Sequence, residues 1–445
     1  MQLTFRYGKG EVGIEVPDAR VLDRIALPGS RPVDDVGAEL TRALAAPVGL
    51  RLEDVVQRGD RVLLMTVDHT RPNPGAFLWP LAERIEALGA TASVIAGLGI
   101  HRQMTAEELQ SFYGTTEILQ PDSRSADQWR AGTTSFGTPV EVCPLLREFD
   151  KRIVVGFVEP QYIAGFSGGR KMVIPSVASY DAVTHNHFLT LLKAKRLGIL
   201  DGNPVHEDLM QAAEIVGLDY VCDAVVNPDD SIAAIHCGDW IAAHRAACED
   251  SARIYRHAIP GLADIVIASP GGHPYDVDMV QAKKALVPAM DCVREGGVII
   301  LVGECRRGWG ADTPDMSLLH AEEAPAKIAA MRAGIQTGRC EWHWGPSSTG
   351  LMFADVVLGR KARLIVVSTL QDELAGTIAT AAPDLVTALE MAEETVGREA
   401  KVIAIGDGRR TVIGASPPGP NGTYPPAPSP RAMLYPHLFS DSGRR

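Results

Sequence analysis

Largely apolar runs separated by polar loops organise the first half of the chain. Val62–Met65, Ala92–Ala96 and Ile153–Val158 are typical of strands that are buried on both faces in a parallel sheet. A helical pattern over residues 81–88 separates the first two runs. Polar or glycine-rich residues follow each run, and open α/β sheets bind their ligands at this carboxyl edge of the strands. We therefore expect functional side chains in these loops.

The second half of the chain repeats this alternation. Strands are predicted at Ala263–Ala268, Gly297–Gly303, Leu364–Val367 and Val402–Ile405, and a helix at Asp384–Val396 precedes the last of them. The fold class predicted from both halves is α/β, with two domains, largely parallel sheets and flanking helices.

The domain boundary is predicted where Pro260-Gly261 interrupts the pattern. This gives an N-terminal domain of residues 1–262, opened by a hairpin around Gly8-Lys9-Gly10, and a C-terminal α/β domain of residues 263–414. Residues 415–445 are rich in Pro, Gly and Ser, which predicts an extended tail.

The composition narrows the class of protein. A length of 445 residues suits two domains, and 46% hydrophobic with 22% charged residues is typical of a globular protein. The net charge of -12 argues against nucleic acid as a partner, because binding it requires a concentrated basic face. The N-terminus lacks a signal-peptide pattern, and no apolar run is long enough to cross a bilayer. Together with seven scattered cysteines, this predicts a cytoplasmic protein without a membrane partner.

The segment Gly165–Lys171 supports several interpretations. It contains Gly-x-Ser-x-Gly, the nucleophile pattern of serine hydrolases, with Ser167 as the nucleophile. That motif requires a strand running directly into the serine, whereas Glu159–Ala164 intervenes here. Successive glycines are also typical of a phosphate cradle, and Lys171 suits a covalent cofactor link. A tight turn with a solvated lysine fits equally well.

Histidines suggest a metal site and a catalytic base. His185 and His187 lie two residues apart, so on a helix their side chains point roughly 200° apart and cannot bind one ion together. A metal held by one of them needs other donors, such as those of a cofactor. His101 follows a strand end near a predicted helix start, which suits either a neutral general base or a capping residue.

Two further pairs suit anion binding. Arg71 lies in a strand-end loop where a bidentate clamp on carboxylate or phosphate is expected, and Asp68 is placed to orient it. Gln281 and Lys284 share one helix face and are predicted to face a cleft between the domains, where we expect the active site. A solvated helix face is the alternative for this second pair.

Taken together, these residues resemble the nickel-dependent lactate racemase family, whose members racemise or epimerise 2-hydroxy acids. The resemblance covers most of the chain, and its five motifs occur in the family's order. They are Asp68-His69-Thr70-Arg71-Pro72, Gly99-Ile100-His101-Arg102, Glu159-Pro160 with Ala164–Lys171, Asn186-His187, and Gln281-Ala282-Lys283-Lys284.

The resemblance implies a covalent metal cofactor, the nickel-pincer nucleotide (nickel pyridinium-3,5-bisthiocarboxylic acid mononucleotide). It implies that Lys171 anchors this cofactor through a thioamide, that His187 completes the coordination of nickel, and that His101 is a catalytic base. Contacts to the cofactor are implied for Asp68, Thr70, Arg71, Ser167, Gly168 and Gly169. Contacts to the substrate are implied for Arg71, Gln281 and Lys284.

The chain departs from the family pattern at the second catalytic histidine. Ten residues before Lys171 the family has a histidine, whereas this chain has Gln161, and an amide is no base near neutral pH. Either Tyr162, His69 or His185 replaces it, or His101 serves alone, or the protein no longer racemises a simple hydroxy acid.

The predicted function is therefore a racemase or epimerase of a small 2-hydroxy acid that works by hydride abstraction and return. The alternative is an altered paralogue that binds the nucleotide or an anionic ligand without racemase activity. The resemblance also implies maturation proteins that supply the cofactor as partners, and it leaves a homodimer open.

Overall fold

The computed structural model describes residues 1–27, 29–192, 197–310 and 312–414, so the predicted tail at 415–445 lies outside the described residues. The described residues form two compact units. The first unit comprises residues 29–254, and the second comprises residues 1–27 together with 255–414.

The strands alternate with helices along most of the chain. In chain order they are β1 (Gln2–Tyr7), β2 (Gly10–Glu15), β3 (Val21–Ile25), β4 (Arg61–Val67), β5 (Thr91–Gly97), β6 (Trp129–Thr133), β7 (Pro139–Val142), β8 (Lys151–Val158), β9 (Pro160–Gln161), β10 (Gly165–Phe166), β11 (Tyr220–Val226), β12 (Ile232–Gly238), β13 (Arg256–His257), β14 (Ala263–Ala268), β15 (Val293–Val302), β16 (Arg363–Val367), β17 (Ala379–Ala382), β18 (Val402–Ile405) and β19 (Val412–Ile413).

The α-helices cover and connect these strands. They are α1 (Val36–Ala45), α2 (Leu52–Val55), α3 (Gly75–Ala87), α4 (Ala106–Tyr113), α5 (Tyr180–Phe188), α6 (Pro204–Val216), α7 (Ala242–Tyr255), α8 (Met279–Ala282), α9 (Leu286–Cys292), α10 (Ala324–Gln336), α11 (Trp344–Ala354) and α12 (Leu385–Val396). Short 3-10 segments lie at Asp18–Arg20, Pro144–Glu148, Gly169–Met172, Leu189–Leu192, Lys283–Ala285 and Met316–Leu318, and a π-helical segment lies at Asp355–Gly359.

The first unit is built on a five-stranded sheet with the order β12-β11-β8-β4-β5. Its strands pair in parallel except for β12, which runs antiparallel to β11. The apolar run Val62–Met65 lies in β4, between β8 and β5, with no exposed surface, as its composition predicts. Since β4, β5 and β8 are parallel neighbours, the polar loops that follow them emerge at one edge.

The second unit contains a six-stranded sheet with the order β17-β16-β15-β14-β18-β3. Every pairing in it is parallel. Two largely parallel sheets with flanking helices confirm the predicted fold class. None of the helices in the described parts of the chain is long and apolar enough to span a membrane.

The first 27 residues pack differently from the sequence expectation, which placed them in a continuous N-terminal domain. Strand β3 pairs with β18 of the second unit, and Gly8 donates its backbone N–H to Asp276 Oδ2 at 2.6 Å. The apolar face of the β1–β2 hairpin, which includes Leu3 and Phe5, joins the core of the same unit. Burial of this face explains the attachment, because a two-stranded hairpin alone has no core.

A core substitution tests this assignment. We expect Phe5→Ala to destabilise the second unit by about 3–5 kcal/mol, because Phe5 is almost fully buried in its core. Hydrogen exchange followed by mass spectrometry should show faster exchange in β14 and β18, with little change in β4. The matched variant Phe77→Ala, in the core of the first unit, should show the reverse. Faster exchange of β4 in Phe5→Ala would contradict the assignment.

Candidate active site

A carboxylate–imidazole pair lies at the edge where β4 and β5 end. Val67 and Gly97 are register partners, so the loops that follow them start side by side. Asp68 Oδ2 lies 2.7 Å from His101 Nδ1. The Asp68 side chain is 3% exposed and the His101 side chain is 45% exposed, so the carboxylate is buried beneath an accessible imidazole.

The surroundings of Asp68 favour its ionised form. Burial raises the pKa of the carboxyl, but the hydrogen bond and charge of His101 and the hydrogen bond from Thr70 outweigh it and hold the pKa below its usual value. Thr70 donates its N–H and its hydroxyl to Asp68 Oδ1, at 3.1 and 2.5 Å. A carboxylate that accepts Nδ1–H of an imidazole leaves the lone pair on Nε2, which is the tautomer required of a base.

Two expectations about this loop change. We expected Asp68 to orient Arg71, but its carboxylate contacts His101 instead. The guanidinium of Arg71 donates to the carbonyl and hydroxyl oxygens of Thr70. His101 is also no capping residue, because Thr105 is the N-cap of α4 and forms a capping box with Glu108, as its sequence predicts.

The glycine-rich segment turns back onto the end of β8. Gly168 and Gly169 have φ angles of 76° and 47°, which favour glycine, and they lead into the 3-10 segment that carries Lys171. The hydroxyl of Ser167 donates to the carbonyl of Phe157 at 2.8 Å, so it braces the turn. The serine-hydrolase interpretation is not supported, because a 3-10 turn rather than an α-helix follows and Ser167 bonds to backbone rather than to a histidine.

The lysine turn and the histidine loop are joined through Ser176. Its hydroxyl donates to the carbonyl of Lys171 at 3.0 Å, and its own carbonyl accepts the N–H of Gly99 at 2.9 Å. Gly97, at the end of β5, has no room for a side chain, since a Cβ there would lie 2.6 Å from that of Ser176. These contacts bring Lys171 and His101, predicted from separate motifs, into one neighbourhood.

His187 lies on α5 and is buried. Burial, reinforced by the positive charge of Lys171, lowers the pKa of His187 well below its usual value, so the ring is neutral at pH 7. Its Nδ1 lies 3.2 Å from Asn186 Oδ1. A neutral imidazole is the form that binds metals. Among the described residues, no group of three or more His, Cys, Asp or Glu is arranged to hold a metal ion.

His185 belongs to a separate buried network. Its Nδ1 lies 2.8 Å from the hydroxyl of Thr138, which donates to the carboxylate of Asp208 at 2.9 Å. Asn186 donates to the same carboxylate at 2.7 Å. The buried position of His185 removes it from the three candidates for a second base and leaves Tyr162 and His69.

Gln161 uses its side chain to hold the β9–β10 hairpin. Its Oε1 accepts the backbone N–H groups of Ile163 and Ala164, at 3.0 and 2.7 Å. At the position where the family pattern has a base, this chain therefore has an amide oxygen that stabilises a turn.

A fully buried cation next to Lys171 in the chain was not predicted from the sequence. The guanidinium of Arg170 has no exposed surface, and it contacts His206, His244 and the carbonyl of Ala164. His244 in turn lies 2.7 Å from Asp223, on β11. The one signal available was Asp223 itself, a charged residue inside the otherwise apolar run Tyr220–Val226.

Gln281 and Lys284 lie in the second unit, on α8 and the 3-10 segment after it. Lys284 donates from Nζ to Gln281 Oε1, so the two side chains share a face as their spacing predicts. Asp278 caps α8 by accepting the N–H of Gln281 at 2.9 Å.

Buried histidines predict a pH dependence of the first unit. Burial lowers the pKa values of His187, His206 and His244 below 6.5, so below that pH the unfolded chain takes up protons that the folded unit does not. The contribution of these histidines to the free energy of unfolding should be complete above pH 6.5. As the pH decreases below 6.5, the free energy of unfolding should decrease by up to about 1.4 kcal/mol per pH unit for each histidine. Urea unfolding at pH 7.5 and 5.5 measures this. His206→Gln should reduce the dependence, and equal stability at both pH values would contradict it.

Comparisons with known proteins agree with this arrangement. Residues 7–198 match the model of the lactate racemase N-terminal domain, and residues 260–413 match that of the lactate racemase C-terminal domain. Lactate racemase from Thermoanaerobacterium thermosaccharolyticum is 29% identical over 425 residues, which cover 92% of this chain and 98% of that protein. Lactate racemase from Lactiplantibacillus plantarum is 29% identical over 400 residues, covering 84% and 89%.

Solved structures give the same result. The lactate racemase apoprotein from T. thermosaccharolyticum superposes with a TM-score of 0.82 at 28% identity, covering 93% of this chain and 100% of that one. A protein from Thermotoga maritima shares the fold, with a TM-score of 0.60 at 17% identity, covering 85% of this chain and 97% of that one. The chain therefore belongs to the lactate racemase family of isomerases.

Proposed function

We propose that this protein racemises or epimerises a 2-hydroxy acid, with lactate as the first candidate substrate, and that a nickel-pincer nucleotide attached to Lys171 is its cofactor. The observation that carries the proposal is the link through Ser176, which joins the turn of Lys171 to the loop of His101. Both relatives described above are lactate racemases, which supports lactate as the substrate to test first.

The residues of the first unit fit such a cofactor. Lys171 supplies an amine for the covalent link, and His187 supplies one neutral imidazole beside it. A metal held by one histidine needs other donors, and the pincer ring carries three of its own. Arg71 is exposed and carries a positive charge suited to a phosphate or carboxylate group. The hydroxyl of Ser167 is committed to the backbone, so its contribution is to shape the turn.

When bound, the cofactor supplies a two-electron acceptor for the hydrogen at C2 of the substrate. The chain's own contribution is proton transfer at the neighbouring hydroxyl. His101 Nε2 takes the hydroxyl proton as the C2 hydrogen leaves and returns it in the reverse direction. Asp68 holds the imidazole in the required tautomer and stabilises the imidazolium that forms. We propose that Gln281 and Lys284 bind the substrate carboxylate.

Gln161 supports a second candidate function. With its amide oxygen bonded to two backbone N–H groups, it serves the hairpin and provides no base. A protein with one histidine base can bind the cofactor or an anionic ligand without racemising lactate efficiently. Tyr162 and His69 are the remaining side chains proposed for the second base. For the cofactor-dependent racemase, we also propose a location in the reducing cytoplasm and maturation proteins that supply the cofactor.

Cofactor loading tests the proposal directly. We expect protein co-expressed with a cofactor-synthesis pathway to gain the mass of the cofactor at Lys171 and to bind one nickel per chain. Lys171→Ala should abolish both, because the covalent link requires the amine. The matched variant Lys151→Ala should retain both. It removes a lysine of the same unit that lies at the start of β8 and pairs with Asp219. Unmodified Lys171 without nickel would refute the proposed cofactor.

Exchange at C2 separates the two candidate functions. Loaded protein incubated with enantiopure lactate should form the other enantiomer, measured by chiral chromatography. Full loading without turnover of lactate or larger 2-hydroxy acids would favour the non-racemising paralogue.

The Asp68–His101 pair gives a sharper test of the base. We expect Asp68→Asn to lower kcat by about 10²–10⁴-fold, because an amide in this position no longer enforces the Nδ1–H tautomer. Loading at Lys171, measured by intact mass, should be unchanged. The matched variant Asp250→Asn alters another aspartate–histidine pair, with His236 at 2.7 Å, and should keep wild-type kcat. Wild-type kcat in Asp68→Asn would exclude the pair from proton transfer.

A further inference from the structure

Arg170 is the residue immediately before the proposed anchor, and its guanidinium is fully buried. Among the described residues, its hydrogen-bond partners are two imidazoles and a carbonyl, none of them a carboxylate. Nε donates to His206 Nδ1 at 3.0 Å, Nη1 contacts His244 Nε2, and Nη2 donates to the carbonyl of Ala164 at 2.7 Å. Both imidazoles must be neutral to accept from a cation. Burial and the charge of Arg170 lower the pKa values of both rings, which is consistent with that requirement.

The nearest carboxylate described in this network is that of Asp223, which contacts Arg170 only through His244. Asp223 Oδ2 lies 2.7 Å from His244 Nδ1, and its other oxygen accepts the N–H of Gly169 at 3.4 Å. The contacts therefore close a ring from the backbone of Gly169 through Arg170, His244 and Asp223. Because the carboxylate of Asp223 accepts a hydrogen bond from Nδ1–H of His244, the ring has its lone pair on Nε2. That lone pair accepts the hydrogen bond from Arg170. Cys248 Sγ also lies 3.4 Å from that Nε2.

The glycines make this ring possible. A Cβ on Gly169 would lie 2.6 Å from the ring of His244, and a Cβ on Gly168 would lie 3.0 Å from Asp223 Oδ1. The backbone of the turn therefore packs directly on the imidazole and the carboxylate. Because the turn is a 3-10 segment with about three residues per turn, fixing Arg170 on its buried side directs the next residue, Lys171, to another side.

We infer that the relay Asp223–His244–Arg170 is a positioning device that holds Lys171 in place for attachment of the cofactor. The inference rests on the proposed attachment at Lys171. The three residues come from β11, α7 and the lysine turn, so the relay ties the anchor to the sheet and to a helix distant in sequence. They are positioning residues, since they act through Lys171.

Two substitutions of His244 separate its two hydrogen bonds. His244→Gln extends as far as Nε2 and keeps an acceptor for Arg170, whereas His244→Asn reaches only the Nδ1 position and leaves Arg170 without that acceptor. A matched control is His236→Gln, which changes a histidine paired with Asp250 on the neighbouring strand β12. Thermal unfolding establishes that each variant is folded.

The first measurement uses the protein without cofactor. Acetylation of Lys171 by an amine-reactive ester is followed by peptide mass spectrometry, with Lys151 as the internal reference. We expect His244→Asn to raise the labelling rate of Lys171 about tenfold, because a lost bond to a buried charge loosens the turn. His236→Gln should stay within about twofold of wild type. His244→Gln should raise the rate by less than His244→Asn, because it keeps the acceptor for Arg170 and loses only the bond to Asp223. If His244→Asn does not fold, Arg170→Lys replaces it in this test. Lysine keeps the positive charge but lacks the several N–H donors of the guanidinium, so we expect the same increase in the labelling rate of Lys171.

The second measurement is the fraction of Lys171 modified after co-expression with the cofactor pathway. It should fall most in His244→Asn and recover in part in His244→Gln, which keeps the acceptor for Arg170 but loses the bond to Asp223. A folded His244→Asn with wild-type labelling and wild-type loading would overturn the inference. Wild-type protein that never acquires the cofactor would refute the proposed function instead, while the labelling rates would still decide whether the relay holds Lys171.

Discussion

The parallel pairing of β4 with both β5 and β8 is the constraint on which the candidate site depends. Parallel neighbours end at the same edge, so the loops after these strands must meet there. Asp68 comes from the first loop, His101 from the second and Lys171 from the third. Ser176 then fixes the distance between the last two loops through its hydroxyl and its carbonyl. Loops that are far apart in the sequence therefore start at one edge of the sheet.

Buried polar side chains of the first unit form hydrogen-bonded networks. Arg170, His244 and Asp223 form one, and His185, Thr138 and Asp208 form part of another. Leaving a buried polar group without its partner costs about 1–3 kcal/mol, so each of these contacts favours the arrangement in which every partner is present. His101 and Arg71 are not part of these buried networks and are accessible to a ligand.

Gln161 uses its side chain for the backbone at a position where the resemblance implies a base. Its amide oxygen accepts two backbone N–H groups and stabilises the hairpin that leads into the glycine turn. The same position cannot supply a proton acceptor for a second face of the substrate. With Gln161 committed to the hairpin, His101 is the proposed base of this site, and Tyr162 and His69 are the side chains proposed for the second one.

The sequence alone determined the alternation of strands and helices, the capping box at Thr105 and the polar loops at the strand ends, because these depend on local periodicity and short motifs. Resemblance to a family supplied roles for His101, Lys171 and His187 that local patterns left open. Only the tertiary structure decided that Asp68 pairs with His101, that the first 27 residues belong to the second unit, and that Arg170, His244 and Asp223 form one buried network. Each of these depends on contacts between residues far apart in the chain, and periodicity carries no information about such contacts.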